Sequence, residues 1–250
     1  MQNNSILQRS PRSPLRWAPD AFPGWASLAA AIGGIVVYIF TLALLLHAFH
    51  VTPQSAMSAQ LTPAIVKAQI LGYVPILAYI GLVLPLLARR SFGEILGRAG
   101  ATEIFTGLGG AVVMWFVVIA VGALEAGIFG KQPEQNAVRL FQNSAPGLWL
   151  DLMAVVAVTL APFVEELVFR AFVFNALWRR LPFAAAATIS GLIFGAAHGQ
   201  VAGILPLAAG GIVLAGVYAR TGSLWSSMIT HGSFNAITLI LLLLSQAKKA

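Results

Sequence analysis

The sequence predicts an all-α fold, a polytopic bundle of about seven transmembrane helices within a range of six to eight. The first observation is composition: 58% of the 250 residues are hydrophobic and 9% are charged, whereas soluble domains have about 45–50% and about 25%. The second is a mean hydropathy of +0.84. The third is that apolar runs near the roughly 20 residues that cross a bilayer recur as far as the C-terminus.

The N-terminal part of the chain contains three of these runs. Residues 1–23 are polar and rich in Ser, Pro and Arg, which predicts a disordered cytoplasmic tail. Spans are predicted at about 24–49, 64–88 and 104–129. The first run is far longer than the roughly 7–15 apolar residues of a signal peptide, so we interpret it as a retained helix. Residues 24–146 then form an N-terminal unit of three helices.

The remaining residues, 147–250, are predicted to form a catalytic helical core. A long helix over about 148–180 is interrupted only by Pro162, which predicts a kink that frees backbone carbonyls just before two glutamates. Further spans are predicted at about 183–198, 203–219 and 223–244.

Charge predicts the orientation and excludes several functions. Arginine clusters lie at positions 9/12/16, 89/90/98, 179/180 and 220. All of them fall on one side of seven spans if the N-terminus is cytoplasmic, which favours an integral protein of a bacterial cell membrane. Lys248 and Lys249 then fall on the other side, which an eighth crossing or a re-entrant segment would remedy. The net charge of +7 is dispersed, so no nucleic-acid partner is expected, and without cysteine no thiolate chemistry is available.

Two adjacent carboxylates and an arginine interrupt the long apolar helix. Each charge costs about 2.5–3.5 kcal/mol at the centre of a membrane helix, so Glu165, Glu166 and Arg170 indicate a functional site. Glu166 and Arg170 are four residues apart and are predicted to pair. Glu165 is rotated by about 100° from Glu166 and is expected to point elsewhere.

Two further polar pairs lie in the later spans, Phe194 with His198 and His231 with Asn235. Glu165 precedes the turn at Leu181 by about as many residues as His198 follows it, so the two are expected at similar depth. A neighbouring stripe of glycines, at 191, 195 and 199, predicts close helix packing.

This set of residues suits peptide hydrolysis. A carboxylate beside a histidine or a metal takes a proton from water, and a second histidine with an asparagine donates hydrogen bonds to an oxyanion. The His-Glu-x-x-His zinc motif is absent.

In this order and spacing, Glu-Glu-x-x-x-Arg (Glu165, Glu166, Arg170), Phe-x-x-x-His (Phe194, His198) and His-x-x-x-Asn (His231, Asn235) resemble the CAAX protease and bacteriocin-processing group. These proteins are also called Abi or Rce1-type glutamate proteases. The resemblance implies that Glu165 and His198 activate water and that His231 and Asn235 hold the oxyanion. Glu166 and Arg170 are then supporting residues. It also implies membrane lipids and a peptide or protein as partners.

The metal requirement and two other functions stay open on the residues alone. Any metal would need His, Glu, Asp or Asn ligands, and Glu165, His198 and His231 are the candidate ligands of a divalent ion such as zinc. Buried Glu and His side chains also form proton relays in membrane transporters, although no internal repeat of the kind that transporters show is visible. A non-catalytic scaffold derived from a protease is the other alternative.

Overall fold

The computed structural model describes residues 24–52, 60–88, 91–130, 132–200 and 203–247. This part of the chain is helical and contains no strand, which confirms the all-α prediction. The helices are α1 (Gly24–Ala48), α2 (Pro63–Ala88), α3 (Phe92–Leu96), α4 (Ala101–Phe129), α5 (Asn136–Gln142), α6 (Leu148–Trp178), α7 (Phe183–Ala197), α8 (Ile204–Thr221) and α9 (Leu224–Ala247).

Six of the described helices are long and apolar enough to cross a membrane, namely α1, α2, α4, α6, α8 and α9. The predicted fifth span, α7, has only 15 residues, about 22 Å at 1.5 Å per residue, which is less than the ~30 Å of a bilayer core. Predicted and observed bounds agree within a few residues. The tail 1–23, Arg89, Arg90, Lys248 and Lys249 lie outside the described residues, so the N-terminal orientation stays a prediction.

Large apolar side chains cover the outside of the early helices. Phe40 on α1, Leu86 on α2 and Phe105 on α4 are 70%, 68% and 73% exposed. A surface of this kind is costly in water and is normal against lipid, because lipid tails are as apolar as the side chains. The protein is therefore integral to the membrane.

The central helix of the bundle is α6. Its segment Leu167–Phe174 is buried on all sides, as expected for a helix that is enclosed by others. The helices α1, α7, α8 and α9 pack around this segment. The helix α4 belongs to the predicted N-terminal unit, yet it packs against α8 and α9, whereas α1 packs against α2.

Pro162 changes the backbone of α6 as predicted, by freeing carbonyl groups. Val156–Leu160, just before it, is a π-helical segment, in which the Ala161 N–H bonds to the Val156 carbonyl. Pro162 has no N–H to offer to the preceding turn. The Ala157 carbonyl therefore has no donor within the helix and instead accepts a hydrogen bond from Asn235 on α9, at 2.7 Å.

Glycines bring α7 and α8 close together, at two of the three predicted positions. A Cβ on Gly191 would lie 2.5 Å from the Ala208 carbonyl oxygen, and one on Gly195 would lie 2.6 Å from that of Ile204. Gly199 is different, because it has open space around it and a φ of +71°. Gly199 follows the end of α7 in a left-handed conformation, and it does not take part in the glycine contact between α7 and α8.

Two of the described arginines lie at the same end of the bundle. The Ser223 hydroxyl, at the start of α9, donates a hydrogen bond to the Arg98 carbonyl at 2.6 Å, and Arg220 occupies the last turn of α8. This grouping is the arrangement that the positive-inside rule expects at a cytoplasmic surface.

Candidate active site

Arg170 is fully buried and is held by three kinds of contact. Its Nε lies 3.0 Å from Oε2 of Glu166, an ion pair whose N–H is not aligned for a hydrogen bond. One terminal nitrogen donates to the Gly211 carbonyl on α8 at 3.1 Å, and the guanidinium carbon lies 4.9 Å from the centre of the Phe194 ring. The predicted pairing of Glu166 with Arg170 is confirmed.

His231 lies between the two adjacent glutamates. Its Nδ1 is 3.0 Å from Oε1 of Glu166, and its Nε2 is 3.9 Å from Oε2 of Glu165. Glu165 therefore faces a different ring nitrogen from Glu166, which its rotation of about 100° around the helix allows. The two ring nitrogens are separate enough for one imidazole to face both carboxylates, even though these leave the helix in different directions.

Glu165 is the more accessible of the two acids. Its side chain is 27% exposed, whereas the Glu166 side chain has no exposed surface. Nevertheless, Oε2 of Glu165 is buried and has no hydrogen-bond partner among the described residues. A buried carboxylate oxygen without a donor is costly, so its position suits a ligand or a water molecule.

His198 is near this group but is bound differently. Phe194 is buried between the two histidines, with ring centres 4.9 Å from His198 and 5.7 Å from His231. His198 ends α7, is exposed, and has its Nδ1 2.8 Å from the Phe194 carbonyl oxygen. No contact between His198 and Glu165 is observed in the described part of the chain, so their predicted cooperation stays a prediction.

Asn235 is fixed by the backbone of α6. One of its amide N–H groups donates to the Ala157 carbonyl, and the second remains available because a side-chain amide has two. Next to His231, Gly232 allows the same close approach, since a Cβ there would lie 2.5 Å from the Val158 carbonyl oxygen. His231 and Asn235, which are predicted to hold the oxyanion, therefore lie on the part of α9 that packs closely against the Val156–Leu160 segment of α6.

The candidate metal ligands are not gathered into one group. No three His, Asp or Glu side chains within the described ranges lie close enough together to hold a metal ion. Glu165 and His231 are adjacent, whereas His198 is tied to a backbone carbonyl at the end of α7. The residues present therefore do not fit a preassembled three-ligand metal centre.

An apolar groove runs between α6 and α9 beside these residues. It encloses about 550 Å³ and has a wide opening. Phe163, two residues before Glu165, and Gly232, the neighbour of His231, both line it. The groove therefore borders the chain next to Glu165 and His231, although neither of these two residues lines it.

Sequence reasoning missed a second polar group near Glu165, on the early helices. The amide nitrogen of Gln69 on α2 lies 2.5 Å from the Tyr38 hydroxyl on α1 and 3.4 Å from that of Tyr73. The helix α2 packs against the Ala161–Glu166 segment of α6, and α1 packs against the segment that follows it. A glutamine inside an apolar span was the signal that could have revealed this group.

Comparisons with known proteins agree with the motifs. Residues 147–237 match the family described as Rce1-like, type II CAAX prenyl endopeptidase Rce1-like. The chain is 25% identical over 172 residues to a Bacillus subtilis (strain 168) protein named "Putative membrane peptidase YdiL". That alignment covers 69% of this chain and 70% of the relative. No solved structure matches the chain.

The matched region contains every residue of the three motifs, from Glu165 to Asn235. It also coincides with the helices that carry the acid cluster, the two histidines and the asparagine. Residues 147–237 are therefore similar to the Rce1-like family, which confirms the resemblance to the CAAX protease and bacteriocin-processing group that the three motifs predict.

Proposed function

We propose that this protein is an intramembrane endopeptidase of the glutamate type, in which Glu165 takes a proton from the water that attacks a peptide bond. One observation carries the proposal. The unpartnered Oε2 of Glu165 and Nε2 of His231 are 3.9 Å apart. This separation is too long for a direct hydrogen bond, and it suits a pair of groups that contact the same reacting centre.

His231 is proposed to donate to the oxyanion. Its Nδ1–H is held by Glu166, which fixes the ring and aims Nε2 at the side where Glu165 lies. When Nε2 also carries a proton, the carboxylate of Glu166 balances the charge of the ring, and Arg170 in turn holds Glu166 in place. The developing oxyanion then meets a donor that needs no rearrangement.

Asn235 and His198 complete the proposed mechanism. The second amide N–H of Asn235, which the Ala157 carbonyl leaves unused, is proposed as the other oxyanion donor. His198 has its Nδ1 engaged by the Phe194 carbonyl, which leaves Nε2 to orient the attacking water from the end of α7. As the tetrahedral intermediate collapses, the proton on Glu165 passes to the leaving amine.

The family description suggests the substrate to try first. The matched family is named for prenyl endopeptidases that act on CAAX sequences, so a prenylated CAAX peptide is the first probe and its unprenylated form the second. The groove between α6 and α9 supports entry of an apolar or membrane-bound substrate from the side of the bundle.

The test compares Glu165→Gln with Glu125→Gln, a matched change at another buried acid in a membrane helix. Internally quenched versions of both peptides are incubated with purified protein, and cleavage is followed by fluorescence. We expect Glu165→Gln to lose about 10²–10⁴-fold in kcat, the usual contribution of a general base, and Glu125→Gln to retain normal activity. Undiminished cleavage by Glu165→Gln would contradict the proposal.

A further inference from the structure

The polar group formed by Tyr38, Gln69 and Tyr73, called the tyrosine–glutamine cluster below, is built differently from an ordinary helix contact. The two tyrosine rings stack with centres 5.4 Å apart, and the Gln69 amide nitrogen reaches both hydroxyl oxygens. Tyr73 is 6% exposed and belongs to the buried core. Tyr38 and Gln69 are half-buried, so the cluster extends from the core to a partly accessible surface of α1 and α2.

Tyr79 shows what a purely structural tyrosine looks like on the same two helices. Its hydroxyl donates one hydrogen bond to the Ala30 carbonyl, at 3.0 Å, and so joins α2 to α1. One such bond suffices to tie the helices together, so the larger cluster provides more polar groups than packing requires.

The cluster retains unused hydrogen-bonding capacity. Both tyrosine oxygens accept from Gln69, and the two hydroxyls also share a hydrogen bond with each other, so one hydroxyl proton remains to be donated. No hydrogen bond to the carbonyl oxygen of Gln69 is observed among the described residues. One acceptor and one donor in this arrangement complement the N–H and C=O groups of a peptide main chain.

The tyrosine–glutamine cluster lies on two helices that pack against the part of α6 around Glu165. The helix α2 packs against the Ala161–Glu166 segment of α6, and α1 packs against the following segment, Leu167–Phe174. The cluster thus approaches Glu165 from α1 and α2, whereas His231 approaches it from α9. Glu165 is 27% exposed, so there is accessible space at its side chain.

A peptide that is cut inside a membrane protein needs hydrogen-bond partners for its main chain. An extended substrate has N–H and C=O groups that no helix satisfies, and hydrocarbon offers nothing in exchange. We propose that Tyr38, Gln69 and Tyr73 form a binding site for the main chain of the peptide substrate next to Glu165, and thereby position the scissile bond. The cluster lies outside residues 147–237, and the inference rests on the proposed endopeptidase function.

The experiment measures KM and kcat for the internally quenched prenylated CAAX peptide and for its unprenylated form. The variants are Tyr38→Phe, Tyr73→Phe and Gln69→Leu, with Tyr79→Phe as the matched control. Loss of one hydrogen bond to the substrate should raise KM about three- to tenfold and leave kcat within about twofold. Tyr79→Phe should leave KM unchanged, although all the tyrosine variants lower the melting temperature by similar amounts.

A second probe tests recognition of the main chain itself. Peptides with an ester in place of one amide near the scissile bond lack a single N–H donor. At the position that contacts Gln69, the ester should raise KM for the wild type but not for Gln69→Leu.

The possible outcomes separate this inference from the function on which it rests. If Glu165→Gln abolishes cleavage while KM of the cluster variants equals that of Tyr79→Phe, the substrate-binding role is overturned and the endopeptidase function stands. A loss of kcat at constant KM would also overturn it. If the wild type cleaves neither peptide, or if Glu165→Gln cleaves normally, the endopeptidase function fails and this inference fails with it.

Discussion

His231 and His198 contact the same phenyl ring of Phe194, yet their surroundings differ. His231 is buried, with a carboxylate facing each ring nitrogen. His198 is exposed at the end of α7, and its observed hydrogen bond goes to a backbone carbonyl. The difference indicates that His231 is a preorganised electrostatic group, whereas His198 can adjust to water or substrate.

Within this comparison, the largest expected effect on activity comes from removing His231. His231→Ala should lower kcat by about 10²–10³-fold, because the proposed oxyanion donor is lost. It should also lower stability by about 1–3 kcal/mol, since Glu166 loses a buried hydrogen-bond partner. His198→Ala should change stability by less than about 0.5 kcal/mol, because the ring is exposed. Thermal unfolding in detergent measures the contrast, and equal losses of stability would contradict it.

The second prediction concerns the carboxylate that holds His231. Glu166→Gln leaves Arg170 buried without its ion-pair partner, which should cost about 3–5 kcal/mol. Activity should fall as well, because His231 loses the group that orients it.

A double variant separates these two consequences. In Glu166→Gln/Arg170→Met the unpaired charge is gone, so most of the stability should return, but activity should not. Recovery of both would show that Glu166 acts only through the fold.

The smallest expected effect concerns the contact between α9 and the π-helical segment of α6. Gly232→Ala places a Cβ 2.5 Å from the Val158 carbonyl oxygen and should destabilise the protein by about 1–3 kcal/mol. Gly216→Ala on α8, where nothing lies within 4 Å, should be neutral or stabilising by up to about 1 kcal/mol. Similar melting temperatures for the two variants would show that this close approach is unimportant.

The membrane helices could be predicted almost completely from the sequence, because a run of apolar residues both forms and positions a transmembrane helix. The pairing of Glu166 with Arg170 was also predictable, since their spacing places them on one helical face. The contact between Glu165 and His231 was not predictable, because it depends on how α9 packs against α6.

The tyrosine–glutamine cluster of α1 and α2 could not be predicted from the sequence either. Tyr38 and Tyr73 are ordinary residues for a membrane helix, and their proximity to Glu165 depends on how distant helices pack. The hydrogen bond from Asn235 to the Ala157 carbonyl was only partly predictable from the sequence. Pro162 predicted free carbonyls, but not which side chain would use them.

A double-mutant cycle between Glu165 and His231 tests the central claim most directly. Single-turnover cleavage of the quenched peptide, with enzyme in excess, is measured for Glu165→Gln, His231→Ala and the pair. If the two side chains act on one reacting centre across their 3.9 Å separation, the double variant should be scarcely slower than the worse single variant. Losses that multiply would contradict the account, because the two residues would then contribute independently.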